Sequence, residues 1–181
     1  MKVYFDGASW ARGVQERIAV PEESYAHHFC KTIGCEYDNV STNGGSNMKV
    51  VRHLLTEYNI SDYDLAIFQF SPPTRLEWVK DGKWKCHKTT HRHIFWDYYY
   101  KNIYTDLYGH TLEKIHFETV RNTCKANGVP CIIATTEPPK DYIKYDYYMD
   151  HNKVPMYGSH PTGEGYKMIA NDLVKIYENL L

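Results

Sequence analysis

The sequence contains no uninterrupted apolar run of the roughly eighteen residues that a membrane span needs, and its N-terminus, Met-Lys-Val-Tyr-Phe-Asp, has no apolar stretch of signal-peptide length. A membrane protein is not expected, and the chain reads as soluble, unexported and cytoplasmic. Charge bias is missing too: 21 Lys and Arg stand against 22 Asp and Glu, a net charge of −1. No global field gathers nucleic acid or an anionic surface, so a small or neutral partner is expected, with the oligomeric state open. Paired cysteine motifs are lacking. Cys30, Cys35, Cys86, Cys124 and Cys131 are odd in number and scattered, which suggests reduced thiols packed as small apolar residues. Repeats, low-complexity tracts and linkers are absent, and 181 residues suffice for one sizeable core, so a single domain over residues 1–181 is expected. The one abundance is tyrosine, 17 in all, which suits a core edge, an interface or a sugar surface equally well.

What is present alternates. Val3 to Asp6 reads as a strand that breaks at Asp6-Gly7 into a loop carrying Ser9. Pro21 to Ile33 reads as a helix stopped at Gly34, and Glu36 to Val40 as a second strand. The turn-rich loop Ser41 to Asn47 precedes a second helix with Met48, Val51, Leu54, Leu55 and Tyr58 on its apolar face. Asp64 to Phe70 has the unbroken apolar character of a central parallel strand, ended by Ser71-Pro72-Pro73-Thr74. After an interruption at about 75–110, a third helix carries Leu112, Ile115, Thr119, Val120 and Cys124, and a fourth strand spans Val129 to Ala134. A long polar loop from Thr135 to Ser159 leads to a last helix with Tyr166, Ile169, Leu173, Ile176 and Leu180 inward. Four strands alternating with helices predict an α/β fold, a three-layer α/β/α sandwich around a mostly parallel sheet.

In such a sheet the strand-to-helix loops open on one edge, so Ser9, Gly44-Gly45, Pro73-Thr74-Arg75 and the segment before the last helix can converge. His160 stands in that last segment, held extended by Pro161. A serine and an imidazole on one edge are the parts of nucleophilic acyl transfer: the ring takes the hydroxyl proton, and backbone N–H groups stabilise the oxyanion. The bland alternative is that Asp6-Gly7 is only a turn and Ser9 only a cap.

These residues resemble the SGNH hydrolases, also called GDSL esterases and lipases, and particularly their small phage-encoded members. Gly7-Ala8-Ser9 with Gly13 is similar to the family's first block, and Asn39 with Gly44, continuing as Gly45-Ser46-Asn47, to its second. His160-Pro161-Thr162-Gly163 is similar to its last. The resemblance implies a flavodoxin-like sheet fold and hydrolysis of a carboxylic ester, acetyl or short acyl, with a carbohydrate as one candidate alcohol, without a cofactor or metal. It implies Ser9 as nucleophile, His160 as general base, and the amides of Ser9 and Gly44 at the oxyanion. Two positions depart from the family. Ser71 to Arg75 stands where it has Gly-x-Asn-Asp, leaving Thr74, Arg75 or Asn47 as further oxyanion donors. Tyr157 and Gly158 stand where it has an aspartate, leaving Asp150 or Glu137 as an orienting acid.

The interruption reads as a hairpin turning at Asp81-Gly82, followed by an aromatic helical segment from Phe95 to Tyr108. Trp10, Trp78 and Trp84 are candidate substrate-binding residues. The lysines of the hairpin, with Lys88 and Arg92, offer a rival nucleic-acid reading, whereas tryptophans anchored on the core with solvating lysines are the plain one. Cys86-His87 with His91-x-His93 contains zinc-ligand residue types, but no second motif at a recognised spacing. The rival from another class is a catalytically inactive module that binds glycan or serves a structural role.

Overall fold

A computed structural model describes residues 1–15, 18–87, 94–138 and 140–180. In chain order its elements are β1 (Lys2–Asp6), α1 (Ser9–Arg12), β2 (Val14–Gln15), β3 (Ile18–Ala19), α2 (Tyr25–Ile33), β4 (Glu36–Asn39), α3 (Asn47–Arg52) and β5 (Leu65–Phe70). Then follow β6 (Leu76–Lys80), β7 (Lys83–His87), α4 (Ile94–Asn102), α5 (Asp106–Ala126), β8 (Cys131–Thr135), β9 (Tyr147–Tyr148), β10 (Met156–Tyr157), β11 (His160–Pro161) and α6 (Gly163–Glu178). The central sheet has the order β4-β1-β5-β8-β9 with every pair parallel.

The period of two along each strand splits the core into two layers. Val3, Phe5, Leu65, Ile67, Ile132 and Ala134 face α1, α2 and α6, while Tyr4, Ala66, Phe68, Phe70 and Ile133 face α3 and α5. A three-layer α/β/α sandwich results. After β1 the chain turns to the first face, and after its neighbour β5 it passes to the second. Loops leaving adjacent strands for opposite faces open a crevice at the strands' carboxyl ends, the usual ligand position in such a sheet.

Local structure departs from the sequence pattern at three points. The first helix begins only at Tyr25: Pro21–Glu23 is a separate 3-10 turn, because Ser24 accepts from His27 N and caps the helix proper. The second helix buries only part of the expected stripe: Leu54 is buried, and Val51 and Tyr58 pack half-buried against the core. Met48 and Leu55 are exposed, and Asn47, Lys49, Val50, His53 and Leu54 are buried, the polar ones held by partners described below; a π turn over His53–Glu57 follows α3. The polar loop after β8 contains the two-residue strand β9, too short to leave a periodic signal. At the interruption, β6 and β7 pair antiparallel about Asp81-Gly82.

Candidate active site

Ser9 is the first residue of the single-turn helix α1, directly beyond β1. The turn is seated on Asp6, which is fully buried and accepts from Gly7 N at 2.7 Å, from Lys49 Nζ at 2.6 Å and from Tyr4 Oη at 3.3 Å; His53 Nδ1 lies 3.0 Å away. Lys49 Nζ also donates to Val40 O at 3.0 Å and Gly7 O at 3.4 Å, tying the loops after β1 and β4 together. Burial, with Asp6 beside it, pushes the Tyr4 phenol well above its ordinary value. Gly7 is required by close approach: a Cβ there would lie 2.7 Å from Gln69 Cβ and 2.8 Å from Gln69 O. A Cβ on Gly45 would lie 2.6 Å from Gly7 O. The loops after β1 and β4 and the end of β5 thus approach more closely than a Cβ would allow, which requires glycine at both positions.

The remaining loops close around this point. Asn39 Nδ2 donates to Ala11 O at 2.8 Å, and Gln69 Oε1 accepts from Ala11 N at 3.0 Å, so both hold α1 from outside its own chain segment. The Cys86 thiol donates to Gly44 O at 2.7 Å, and burial pushes that thiol up. At the other end of the chain, β10 and β11 form a small hairpin through Gly158 that presents His160 opposite Tyr157. Trp10 Nε1 donates to Ser159 O at 3.0 Å, joining the Ser9 helix to the His160 hairpin. Tyr166 of α6 reinforces the join, its hydroxyl bonding both N and O of Val14 at 3.0 Å.

The result is a cleft of about 500 Å³ lined by Ser9, Gly44, Gln69, Arg75, Glu137 and His160, with Trp10, Val14, Asn43, Pro72, Thr136, His151 and Ser159 completing its wall. His160 Nδ1 lies 3.2 Å from Ser159 Oγ. Ser9 Oγ has no hydrogen-bond partner among the described residues, and as the first helical residue Ser9 has an N–H without an intrahelical acceptor. Burial lowers the Arg75 guanidinium from its ordinary value.

No protein-family model matches the sequence, and no curated protein matches it. Solved structures match the fold. A protein described as lipolytic of the G-D-S-L family, from Desulfitobacterium hafniense DCB-2, superposes with a TM-score of 0.61 at 13% identity, over 97% of this chain and 98% of its own. TesA gives 0.63 at 9% identity with 100% of both chains covered. A carbohydrate esterase, whose active site is described as displaying divergent catalytic and non-catalytic binding functions, gives 0.64 at 9% identity over 98% of this chain and 64% of its own. The chain has the SGNH-hydrolase fold.

On this SGNH fold, Ser9, Trp10, Gly44, Arg75, Glu137 and His160 share the cleft, and the other sequence candidates do not. Asn47 is buried off the cleft wall and bonded to Ser71: its Nδ2 donates to Ser71 O at 2.9 Å and its Oδ1 accepts from Ser71 N at 2.8 Å. Thr74 lies off the cleft wall, its carbonyl accepting from Tyr100 Oη. Asp150 also lies off the wall, accepting from Asn152 N at 2.9 Å with Lys153 Nζ 3.7 Å away. Trp78 stands edge-on to Trp96, and Trp84 lies under the Arg52 guanidinium, so both tryptophans brace the hairpin away from the cleft. Trp10 belongs to the inner wall at 4% exposure. His91 and His93, with Lys88 and Arg92, lie outside the described residues; among those described, no group of three His, Cys, Asp or Glu is placed to hold a metal ion. No helix among the described residues is long and apolar enough to cross a membrane.

Sequence reasoning missed Gln69 and His151. Gln69 had a signal, the one polar residue inside Leu-Ala-Ile-Phe-Gln-Phe. His151, whose ring lies tilted against Trp10 with centroids 4.6 Å apart, had none.

Proposed function

We propose that the protein is a serine ester hydrolase that removes an acetyl or short acyl group, with Ser9 as nucleophile and His160 as general base. The observation that carries this reading is that the Ser9 helix and the His160 hairpin, from opposite ends of the chain, share one polar cleft on an SGNH fold and are tied by the Trp10–Ser159 bond. Ser9 Oγ attacks the ester carbonyl as His160 takes its proton, and the charge moving onto the carbonyl oxygen is met by the N–H groups of Ser9 and Gly44. His160 then returns the proton to the leaving alkoxide. Water, deprotonated by the same ring, releases the acid from the acyl-enzyme.

Ser159 Oγ accepts from Nδ1 in this scheme and fixes the tautomer, the part a carboxylate plays in a complete triad. A hydroxyl stabilises the imidazolium less than a carboxylate, so slow turnover is expected. The polar wall suits a hydrated alcohol such as a carbohydrate, in keeping with the carbohydrate-esterase neighbour. Release of p-nitrophenol from p-nitrophenyl acetate tests the reading: Ser9→Ala is expected to lose about a hundredfold or more. Equal rates for wild type and variant remove it.

A second reading, a glycan-binding module that turns nothing over, is favoured by Tyr157 and Gly158 at the place of the family's aspartate. It predicts equal oligosaccharide binding by wild type and Ser9→Ala, with no ester cleavage by either.

A further inference from the structure

The cleft holds a cation, Arg75, that no described carboxylate contacts directly. Arg75 follows Pro72-Pro73 beyond the end of β5, and it lines the wall with Ser9, Gln69 and His160. Its guanidinium makes one hydrogen bond to a described residue, a long one, Nη1 donating to Gly45 O at 3.5 Å. The contrast with two other arginines is direct. Arg52 donates to both Glu57 and Glu77, and Arg121 is paired with Asp146. Glu137 shares the cleft and its charge favours the guanidinium from a distance, without a direct ion pair between the two. A guanidinium carries five N–H donors in a planar fork that matches a carboxylate, and removing it from water without a partner is unfavourable. Folding alone does not account for a half-buried fork without a direct ion pair on the wall that carries the candidate nucleophile.

We propose that Arg75 docks an anionic substituent of the substrate, a carboxylate, so that the cleft selects esters of acidic compounds over neutral ones. This names the substrate class of the ester-hydrolase reading and rests on it for turnover, but not for binding. The cleft's volume of about 500 Å³ admits a scissile ester at Ser9 and an anion at Arg75 in one small molecule.

Two ester pairs test it. p-Nitrophenyl hemisuccinate and p-nitrophenyl butyrate differ by a carboxylate on the acyl side; 4-acetoxybenzoate and phenyl acetate differ by one on the alcohol side. In at least one pair, wild type is expected to favour the anionic member in kcat/KM by about ten- to hundredfold, the range of a charge-assisted hydrogen bond, chiefly through KM. Arg75→Gln removes the preference, and Arg75→Lys, which keeps the charge but not the fork, retains part of it. Calorimetric titration of the same esters into Ser9→Ala and Ser9→Ala/Arg75→Gln reads binding without turnover. If wild type hydrolyses nothing while Ser9→Ala still binds the anionic ester more tightly and the double variant does not, the hydrolase reading fails and the role of Arg75 stands. Absence of any anionic preference in both assays overturns the proposal. So does an equal loss of kcat on both members of a pair in Arg75→Gln, which would place Arg75 on the carbonyl oxygen instead.

Discussion

Replacing Lys49 by methionine tests what holds the Ser9 loop. Lys49 Nζ lies 2.6 Å from Asp6 Oδ1, with side-chain exposures of 4% and 0%, and the same ammonium reaches Val40 O and Gly7 O. Methionine fills nearly the same volume, so the change removes charge and donors while sparing packing. Asp6 keeps Gly7 N, Tyr4 and His53 around it but loses its lysine. Breaking one partner out of a buried ion pair costs about 3–5 kcal/mol, against a typical total stability of about 5–15 kcal/mol. For a chain of this size each kcal/mol moves Tm by about 2–4 °C, so a fall of about 6–20 °C is expected in thermal unfolding followed by circular dichroism. The double variant Asp6→Asn/Lys49→Met removes the stranded charge as well. It is expected to be more stable than Lys49→Met by about 1 kcal/mol or more. A loss under about 1 kcal/mol for the single variant, or a double variant no more stable than the single, refutes the argument that the buried pair seats the loop.

Trp10→Phe keeps an aromatic ring in the core but deletes the donor to Ser159 O; a stability loss of about 1 kcal/mol is expected. Steady-state kinetics should show kcat on p-nitrophenyl acetate down about tenfold with KM little changed, because the His160 hairpin loses its tether to Ser9. His116 titrates in the other direction from a paired histidine. Burial lowers its pKa from 6.5, so the unfolded chain binds the proton more readily than the folded one. Stability conferred by the neutral ring is therefore present above about pH 6.5 and declines as pH falls toward the lowered folded value. Urea unfolding between about pH 5 and 8 should show a shallower decline in His116→Gln, and an unchanged slope would remove His116 from the account.

The alternation of strand and helix was legible because each element is written in its own neighbours. Leu65 to Phe70 is unbroken and apolar because both faces of that strand are covered, and Tyr166, Ile169 and Leu173 recur on the inward side of α6. The hairpin about Asp81-Gly82 was legible for the same reason, Asp81 taking a φ of 53° that suits its turn chemistry. The buried face of α3 was not. Asn47, Lys49 and His53 look solvent-facing by composition, and only the Ser71 backbone and the Asp6 carboxylate, arriving from other strands, make their burial favourable. Asp150 and Asn47 were plausible by residue type and chain position; a local bond from Asn152 N engages the first and the Ser71 backbone, from the end of another strand, the second.

By itself the sequence determined the layered α/β architecture, the edge on which Ser9, Gly44 and His160 emerge, and the glycines that let those loops approach one another. Periodicity and turn chemistry are local properties, and burial of both sheet faces leaves few alternatives to that arrangement. Only the tertiary structure decided which polar residues face the cleft and which are consumed in holding it. That division depends on distances of a few ångströms between segments far apart in the chain: Lys49 closes on Asp6, Trp10 on Ser159, and Asn47 on Ser71, while Arg75 is left on the wall without a direct ion pair.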